Sequence, residues 1–361
     1  MKELKTSLYE QHKKIGAKIV PFAGYLMPVN YDKGIKEEYQ SVRNDVGMFD
    51  VSHMGFISVE GNNAAEFLNY VTINNVYKLT SGSAQYSVIC NENGGVIDDI
   101  IIYKKTDSLY FMIVNASNIE KDFDWLCGKN KYEVNLSNKS NQFSIIAVQG
   151  PNSRKRIMSE LDLDIKEIKF YKFNNYEFSN KEIIISRTGY TGELGYEIIA
   201  DHETINNIWN IFLNANVNPC GLGVRDILRI EMKYCLYGHE LNDDINPISA
   251  GLNWVLDKKK NNFIGEESIL NEINFPSKKL ICFKMLERAI PRENYKVYCD
   301  NENIGYVTSG AFSISLNQGI GLALIDARFN SKLEFFIEVR EKLYKAEVIK
   351  PPFIKNYSLH L

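Results

Sequence analysis

The sequence predicts an α+β protein with largely antiparallel sheets, followed from about Lys279 onward by a separate β barrel or sandwich. Three observations carry this. In the first part, strand-like runs and amphipathic stripes mix without the strict alternation of a parallel βαβ fold. After Lys279 the helical signals fade and short apolar runs alternate with turns. The chain has 361 residues, more than the roughly 100 to 200 of one typical domain, so several packed units are expected.

Along the chain, Ile35, Tyr39, Val42 and Val46 fall at i, i+4, i+7 and i+11 and define a helix. The stripe stops at Gly47, where a left-handed C-terminal cap is expected. Strand patterns follow at Phe56 to Val59, Tyr86 to Cys90, Val96 to Tyr103 and Leu109 to Val114. Asn91-Glu92-Asn93-Gly94-Gly95 joins two of these as a hairpin loop. Ser117 and Glu120 suggest a capping box for a helix running to Leu126 or Cys127 and ended by Gly128. Strands recur at Phe143 to Val148 and Glu182 to Ser186. Ile205, Ile208, Trp209 and Phe212 mark another helix, and Val224 to Glu231 a further one behind Gly221-Leu222-Gly223. The terminal unit is expected to use Ile281 to Met285, Lys296 to Cys299, Gly305 to Thr308, Phe335 to Val339 and Tyr344 to Ile349.

Composition narrows the function. With 42 Lys and Arg against 45 Asp and Glu, the net charge of -3 is too balanced to grip phosphate backbones or acidic lipid, so nucleic acid is not an expected partner. Cys90, Cys127, Cys220, Cys235, Cys282 and Cys299 show no metal-ligand spacing and read as reduced thiols. Met1 to Glu10 carry no basic-then-apolar leader, which suggests a cytoplasmic protein, or a mitochondrial matrix one if a leader has been removed. The longest charge-free run, Gly305 to Ile325, is interrupted by glycines and Ser/Thr/Asn/Gln residues and suits strands better than a membrane span.

No nucleotide loop, zinc-protease helix or nucleophile elbow is present, and Gly221-Leu222-Gly223 and Gly319-Ile320-Gly321 lack the third glycine of a dinucleotide fingerprint. His53 and His239 lie in glycine-flanked segments, with capping or packing as the simpler role. More informative is Asp98-Asp99 in the apolar strand Val96 to Ile102. Adjacent strand residues point to opposite faces, so at least one carboxylate enters a protected surface, where it needs hydrogen-bond partners or has a functional role. The pattern does not choose between them. Gly189-Tyr190-Thr191-Gly192-Glu193-Leu194-Gly195-Tyr196-Glu197 offers glycines for close approach, tyrosines for a ring face and carboxylates for an amidine-like edge. A pterin or guanine suits that set, and a plain turn with surface acids is the alternative. Arg225 and Arg229, at i and i+4, could bind an anionic or carbonyl-bearing ligand or form a solvated salt-bridged face.

At these residues the sequence resembles the aminomethyltransferase (T-protein) family of the glycine cleavage system. The resemblance rests on Phe22-Ala23-Gly24, Met27-Pro28-Val29 and Gly47 to Gly55, then Gly94 to Asp99, Val148 to Pro151 and Thr188 to Glu193. It continues through Gly221 to Asp226, Leu236 to Leu241, Phe263 to Gly265, Thr308 to Gly310, and Pro352-Phe353 with Tyr357. It implies a three-domain cloverleaf: two interleaved α+β units in residues 1–279, with boundaries near 50 and 150, forming a folate funnel, and a C-terminal β barrel in residues 280–361. It also implies Asp98 as the catalytic acid, Glu197 on the pterin edge, and Tyr86, Asn115, Tyr190, Arg225 and Tyr357 as further site residues. The implied reaction moves an aminomethyl carbon from the lipoyl arm of H-protein to tetrahydrofolate, the co-substrate, with no metal.

Tyr25 stands where the family usually has tryptophan, and Ile314 replaces a usual proline. Lys233 to Glu240 partly resembles the Lys-Gly-Cys-x-x-Gly-Gln-Glu signature of folate-binding iron-sulfur maintenance proteins, with Tyr234 and His239 departing from it. That reading and a folate-dependent demethylase are the two rivals.

Overall fold

A computed structural model describes residues 3–300, 302–329 and 334–361. The fold is α+β and ends in a closed barrel. A small N-terminal sheet pairs Tyr25–Asn30 with Lys18–Phe22 and Leu4–Lys5. Gly47–Asp50 then enters a six-stranded sheet completed much later by Ser144–Gln149, Phe173–Phe178, Lys181–Ser186, Gly195–Ala200 and Asn218–Pro219. Between those visits the chain builds a five-stranded sheet in the order Ser83–Cys90, Val96–Lys104, Leu109–Val114, Gly55–Glu60, Asn135–Asn138.

Strand alternation places these two sheets face to face. Phe56, Tyr103, Phe111 and Ile113 on one share an apolar cluster with Phe49, Ile145 and Ile199 on the other, closed by Val224 and Leu228 of the helix Leu222–Glu231. The far side of the five-stranded sheet, including Ile102 and Met112, packs on Ile119 and Leu126 of the helix Ile119–Lys129. The barrel strands run Lys278–Met285, Gln318–Asp326, Glu302–Ser313, Lys296–Cys299, Phe335–Val339 and Lys342–Ile349 around the closure. In the first of these, Ile281, Phe283 and Met285 fill the barrel, whereas Leu280 and Cys282 face Val88, Ile230 and Leu241 outside it. Both faces are buried from Leu280 to Phe283, so that stretch is apolar instead of alternating, while Lys284 beyond it pairs with Glu347.

Two local expectations are corrected, and one strand is added. The helix that carries Ile35, Tyr39 and Val42 runs Gly34–Asn44, short of Val46, and Gly47 opens a strand. That glycine is needed for space, because a Cβ there would lie 2.6 Å from Val42 and 2.7 Å from the Cys220 sulfur. Ser117 forms no capping box; it sits in a 3₁₀ turn, the cap position is Asn118 without a side-chain cap bond, and Gly128 lies inside the helix. The strand Gln318–Asp326, hidden in the charge-free run, was not separated from its neighbour by the sequence pattern. The Asn91–Gly95 hairpin is as expected: Asn91 Oδ1 accepts from the Asn93 and Gly95 amides, and Gly94 has φ +81°. Among the described residues no helix is long and apolar enough to cross a membrane.

Candidate active site

A cavity of about 990 Å³ opens where the two facing sheets, the helix Leu222–Glu231 and the C-terminal segment meet. The ladder between Val96–Lys104 and Leu109–Val114 decides which side chains reach it. Ile101 pairs with Ile113, and two residues further on, on the same face, come Asp99 and Asn115. All four line the cavity, as does Tyr86, which pairs with Ile101 from the other neighbour strand. On the six-stranded sheet, Glu197 and Ile199 face the cavity, while Tyr196 and Ile198 turn into the core behind.

Six of the residues named from sequence therefore meet in one place: Tyr86, Asn115, Tyr190, Glu197, Arg225 and Tyr357. Asp98 does not join them. It is 0% exposed and points to the opposite face, under the helix Ile119–Lys129, where it accepts from the Asn115 backbone (2.9 Å) and the Asn118 amide (2.6 Å). The carboxylate at the cavity is Asp99, which accepts from Tyr86 Oη at 3.0 Å and Asn115 Nδ2 at 2.9 Å. Placing Asp98 in the site is corrected on this geometry: one residue of strand register exchanges the two faces.

The electrostatics of that corner are unusual. Burial, followed by the charge of Asp98, pushes the Asp99 carboxyl up to about 7. Tyr86 stacks on Trp254 (5.6 Å between centroids), an exposed tryptophan on the cavity wall that sequence reasoning missed because it stands among apolar residues, Leu252, Val255 and Leu256, that read as core. Further along, Arg225 lies 4.7 Å over the Tyr190 ring, and its Nη1 has no hydrogen-bond partner among the described residues. Burial lowers its proton affinity, opposed by the charge of Glu197. Glu197 is held by Thr188, whose carbonyl accepts from Gln149 Nε2 at 3.2 Å. His53 is buried on the same wall with Nδ1 unpartnered among the described residues, and burial holds its ring down at about 4, so it is neutral at physiological pH.

Other singled-out residues have structural duties. Gly189 and Gly195 make room for the Gln149 side chain, which a Cβ would meet at 2.1 and 2.3 Å. Glu193 turns away from the cavity and pairs with Arg43 at 2.7 Å. Arg229, although on the cavity wall, is engaged by Asp226, Glu240 and Ser309. Cys235 is 6% exposed, and burial pushes its thiol well above the ordinary range.

The last wall comes from the C-terminal segment. Tyr357 and Leu359 line the cavity, and between them the Ser358 amide donates to Glu193 at 2.8 Å. Arg187 and Arg154 bond the Leu361 carbonyl at 2.6 and 3.0 Å.

Residues 8–260 match the family model described as GCVT N-terminal domain, and residues 278–355 match the glycine cleavage T-protein C-terminal barrel domain. The chain belongs to the glycine cleavage T-protein family. It is 44% identical over 354 residues to an aminomethyltransferase of Thermosipho melanesiensis, covering 97% of both chains. It is 42% identical over 360 residues to one of Flavobacterium psychrophilum, covering 97% of this chain and 99% of the other. The crystal structure of glycine cleavage system aminomethyltransferase T from Bartonella henselae superposes with a TM-score of 0.92 at 30% identity, covering 98% and 99% of the two chains. These relatives bear the name aminomethyltransferase, and this family member is an enzyme of the same transferase class.

Proposed function

We propose that the chain transfers the aminomethyl carbon carried on the lipoyl arm of H-protein to tetrahydrofolate, giving 5,10-methylenetetrahydrofolate and ammonia. The observation that carries the reading is the alignment, along one cavity, of an edge-reading carboxylate (Glu197), aromatic and cationic side chains (Tyr190, Arg225) and a second carboxylate able to exchange a proton near neutrality (Asp99).

The pterin lies against Tyr190 with its N–H edge on Glu197, whose charge is balanced by Arg225. Asp99 faces the folate nitrogens and the incoming carbon. As the carbon–sulfur bond breaks, cationic character develops on the aminomethyl carbon, and an ionised Asp99 stabilises it. Carbon–nitrogen bonds to the folate then form as ammonia and the free lipoyl thiol depart, and a carboxyl that titrates near neutrality moves the protons this requires. The apolar walls keep bulk water from the reactive carbon.

The iron-sulfur reading needs an accessible thiolate at Cys235, and the buried, proton-retaining thiol argues against it. The deciding experiment is formation of methylenetetrahydrofolate from aminomethyl-loaded H-protein and tetrahydrofolate. Absence of product with a correctly folded, folate-binding protein overturns the reading.

A further inference from the structure

Behind the cavity, on the far face of the Val96–Lys104 strand, lies a group of polar side chains to which the proposed reaction gives no part. Asp98, Asn118 and Asp122 are 0, 4 and 0% exposed beneath the helix Ile119–Lys129. Three N–H groups converge on Asp98: the Asn115 amide nitrogen at 2.9 Å on Oδ2, and Asn115 Nδ2 at 2.9 Å and Asn118 Nδ2 at 2.6 Å on Oδ1. Burial raises the proton affinity of Asp98, opposed by Asp122 and by these donors; an ionised carboxylate satisfies all three N–H groups, whereas a proton on it turns an O–H toward a donor. Asp122, which no N–H group or hydroxyl of the described residues reaches, pairs with Asp98 carboxyl to carboxyl, so that a proton on Asp122 is donated to Asp98. Burial, then the charge of Asp98, pushes Asp122 up to about 11, so it is the neutral member of the group.

Asn115 connects this group to the cavity. Its amide hydrogens are divided between Asp98 Oδ1 at 2.9 Å and Asp99, at Oδ1 (2.9 Å) and the backbone oxygen (3.1 Å). The opposite amide orientation would aim a carbonyl oxygen at two carboxylates. The amide is therefore locked, and its Oδ1 is the atom left for the cavity that Asn115 lines.

We propose that Asp98 is a positioning residue that acts on the cavity through Asn115: it locks the amide so that its oxygen meets the ligand, and its own charge governs when Asp99 holds a proton. The inference rests on the reading of Asp99 as the reacting carboxylate. The other groups facing Asp99 are hydroxyls or a thiol that stay neutral: Tyr86 on its own sheet, with Tyr171, Tyr190 and Cys235 from the elements opposite. Lys121, the nearby cation on the helix, is taken up by the Ile97 carbonyl at 2.8 Å and Tyr237 Oη at 2.6 Å. Asp98 is thus the anion in a position to set the Asp99 proton.

The test is the pH dependence of kcat and of folate KM in Asp98→Asn. Removing the like charge lowers the proton affinity of Asp99, so the acid limb of the kcat profile moves down by about one pH unit or more, while KM rises as the Asn115 amide loses its lock. Asp122→Asn removes no charge and leaves the limb in place. A purely structural Asp98 lowers the yield of folded enzyme without moving the limb, and that result overturns the proposal. If Asp98→Asn does not fold, Asn118→Ala, which removes one donor holding Asp98 ionised, must move the limb the same way by a smaller amount. Carboxyl carbon NMR, with the Asp99 resonance assigned by its loss in Asp99→Asn, reads the proton without turnover. A wild type that titrates Asp99 at the same pH as the variant refutes the positioning role, whereas a wild type inactive with loaded H-protein refutes the proposed reaction alone.

Discussion

Asp98 and Asp99 share a peptide bond but face opposite sides of one sheet, the first toward a sealed helix interface and the second toward the cavity, and the Asn115 amide donates to both at 2.9 Å. The pair is one electrostatic unit with one exposed end, so substitutions of its two members have different signatures.

Asp99→Asn keeps the shape of the carboxylate and removes its charge and its proton. Turnover should fall by at least ~100-fold, the scale of a positioned acid-base group, with the fold and most of the folate affinity kept. Single-turnover kinetics beside folate calorimetry check this, and near-wild-type turnover contradicts it.

Glu197→Gln should weaken folate binding by about 1.5 to 3 kcal/mol, the size of a charge-assisted hydrogen bond, and affect affinity more than maximal rate. Glu193→Gln should do the reverse of a site substitution. It leaves Arg43, 7% exposed at its side chain, with a neutral partner in place of a carboxylate and should lower the melting temperature, with a smaller folate loss than Glu197→Gln because it reaches the cavity only through the C-terminal segment that Glu193 holds. Equal folate losses in both variants would remove the distinction.

Asp122 carries its proton in the folded protein and loses it on unfolding above the unfolded carboxyl value of about 3.9. The native state then binds more protons than the unfolded one, so this group makes stability fall as pH rises between about 4 and 11. Asp122→Asn removes that slope, about 1.4 kcal/mol per pH unit, and should gain on the wild type as pH is raised from 5 to 8. Asp50 has the opposite sign. His12 at 2.9 Å and the Thr6 hydroxyl at 2.7 Å hold it down at about 2 against its burial, so its contribution is present above about pH 4 and is lost as pH falls toward 2. Denaturant melts of both Asn variants across pH 2 to 8 measure the two slopes, and parallel wild-type and variant curves would show that neither carboxyl is linked to folding.

Cys235→Ala should leave aminomethyl transfer within a few-fold of wild type. With a disulfide reagent Cys127, the exposed cysteine, should react first, and Cys235 slowly. Fast labelling of Cys235 together with loss of function in the alanine variant would revive the thiol-based reading.

Much of this was legible before the structure, for identifiable reasons. The strand runs showed because their apolar residues are contiguous, and Leu109–Val114 and Lys296–Cys299 have the expected bounds. Tyr190, Glu197 and Arg225 were findable because aromatic, acid and guanidinium groups cluster around glycines, although those glycines chiefly serve Gln149. The face of Asp98 was not findable by alternation, since Val96 to Ile102 is apolar on both sides and both sides are covered. Asp122 left one trace, falling at i+3 between Ile119 and Leu126 on the buried stripe of its helix. The short helices Tyr9–Lys14, Ala64–Val71, Ser153–Leu161 and Glu266–Asn274 are too brief, or too polar, for their periodicity to stand out.

The segment held by Glu193, Arg187 and Arg154 bears on how the protein becomes competent during biosynthesis. All the described strands end by Ile349, yet Tyr357 and Leu359 form part of the cavity wall. A nascent chain emerging in order can therefore assemble its sheets and barrel before it can hold a ligand. The cavity wall is complete only once residues that belong to no helix or strand have docked.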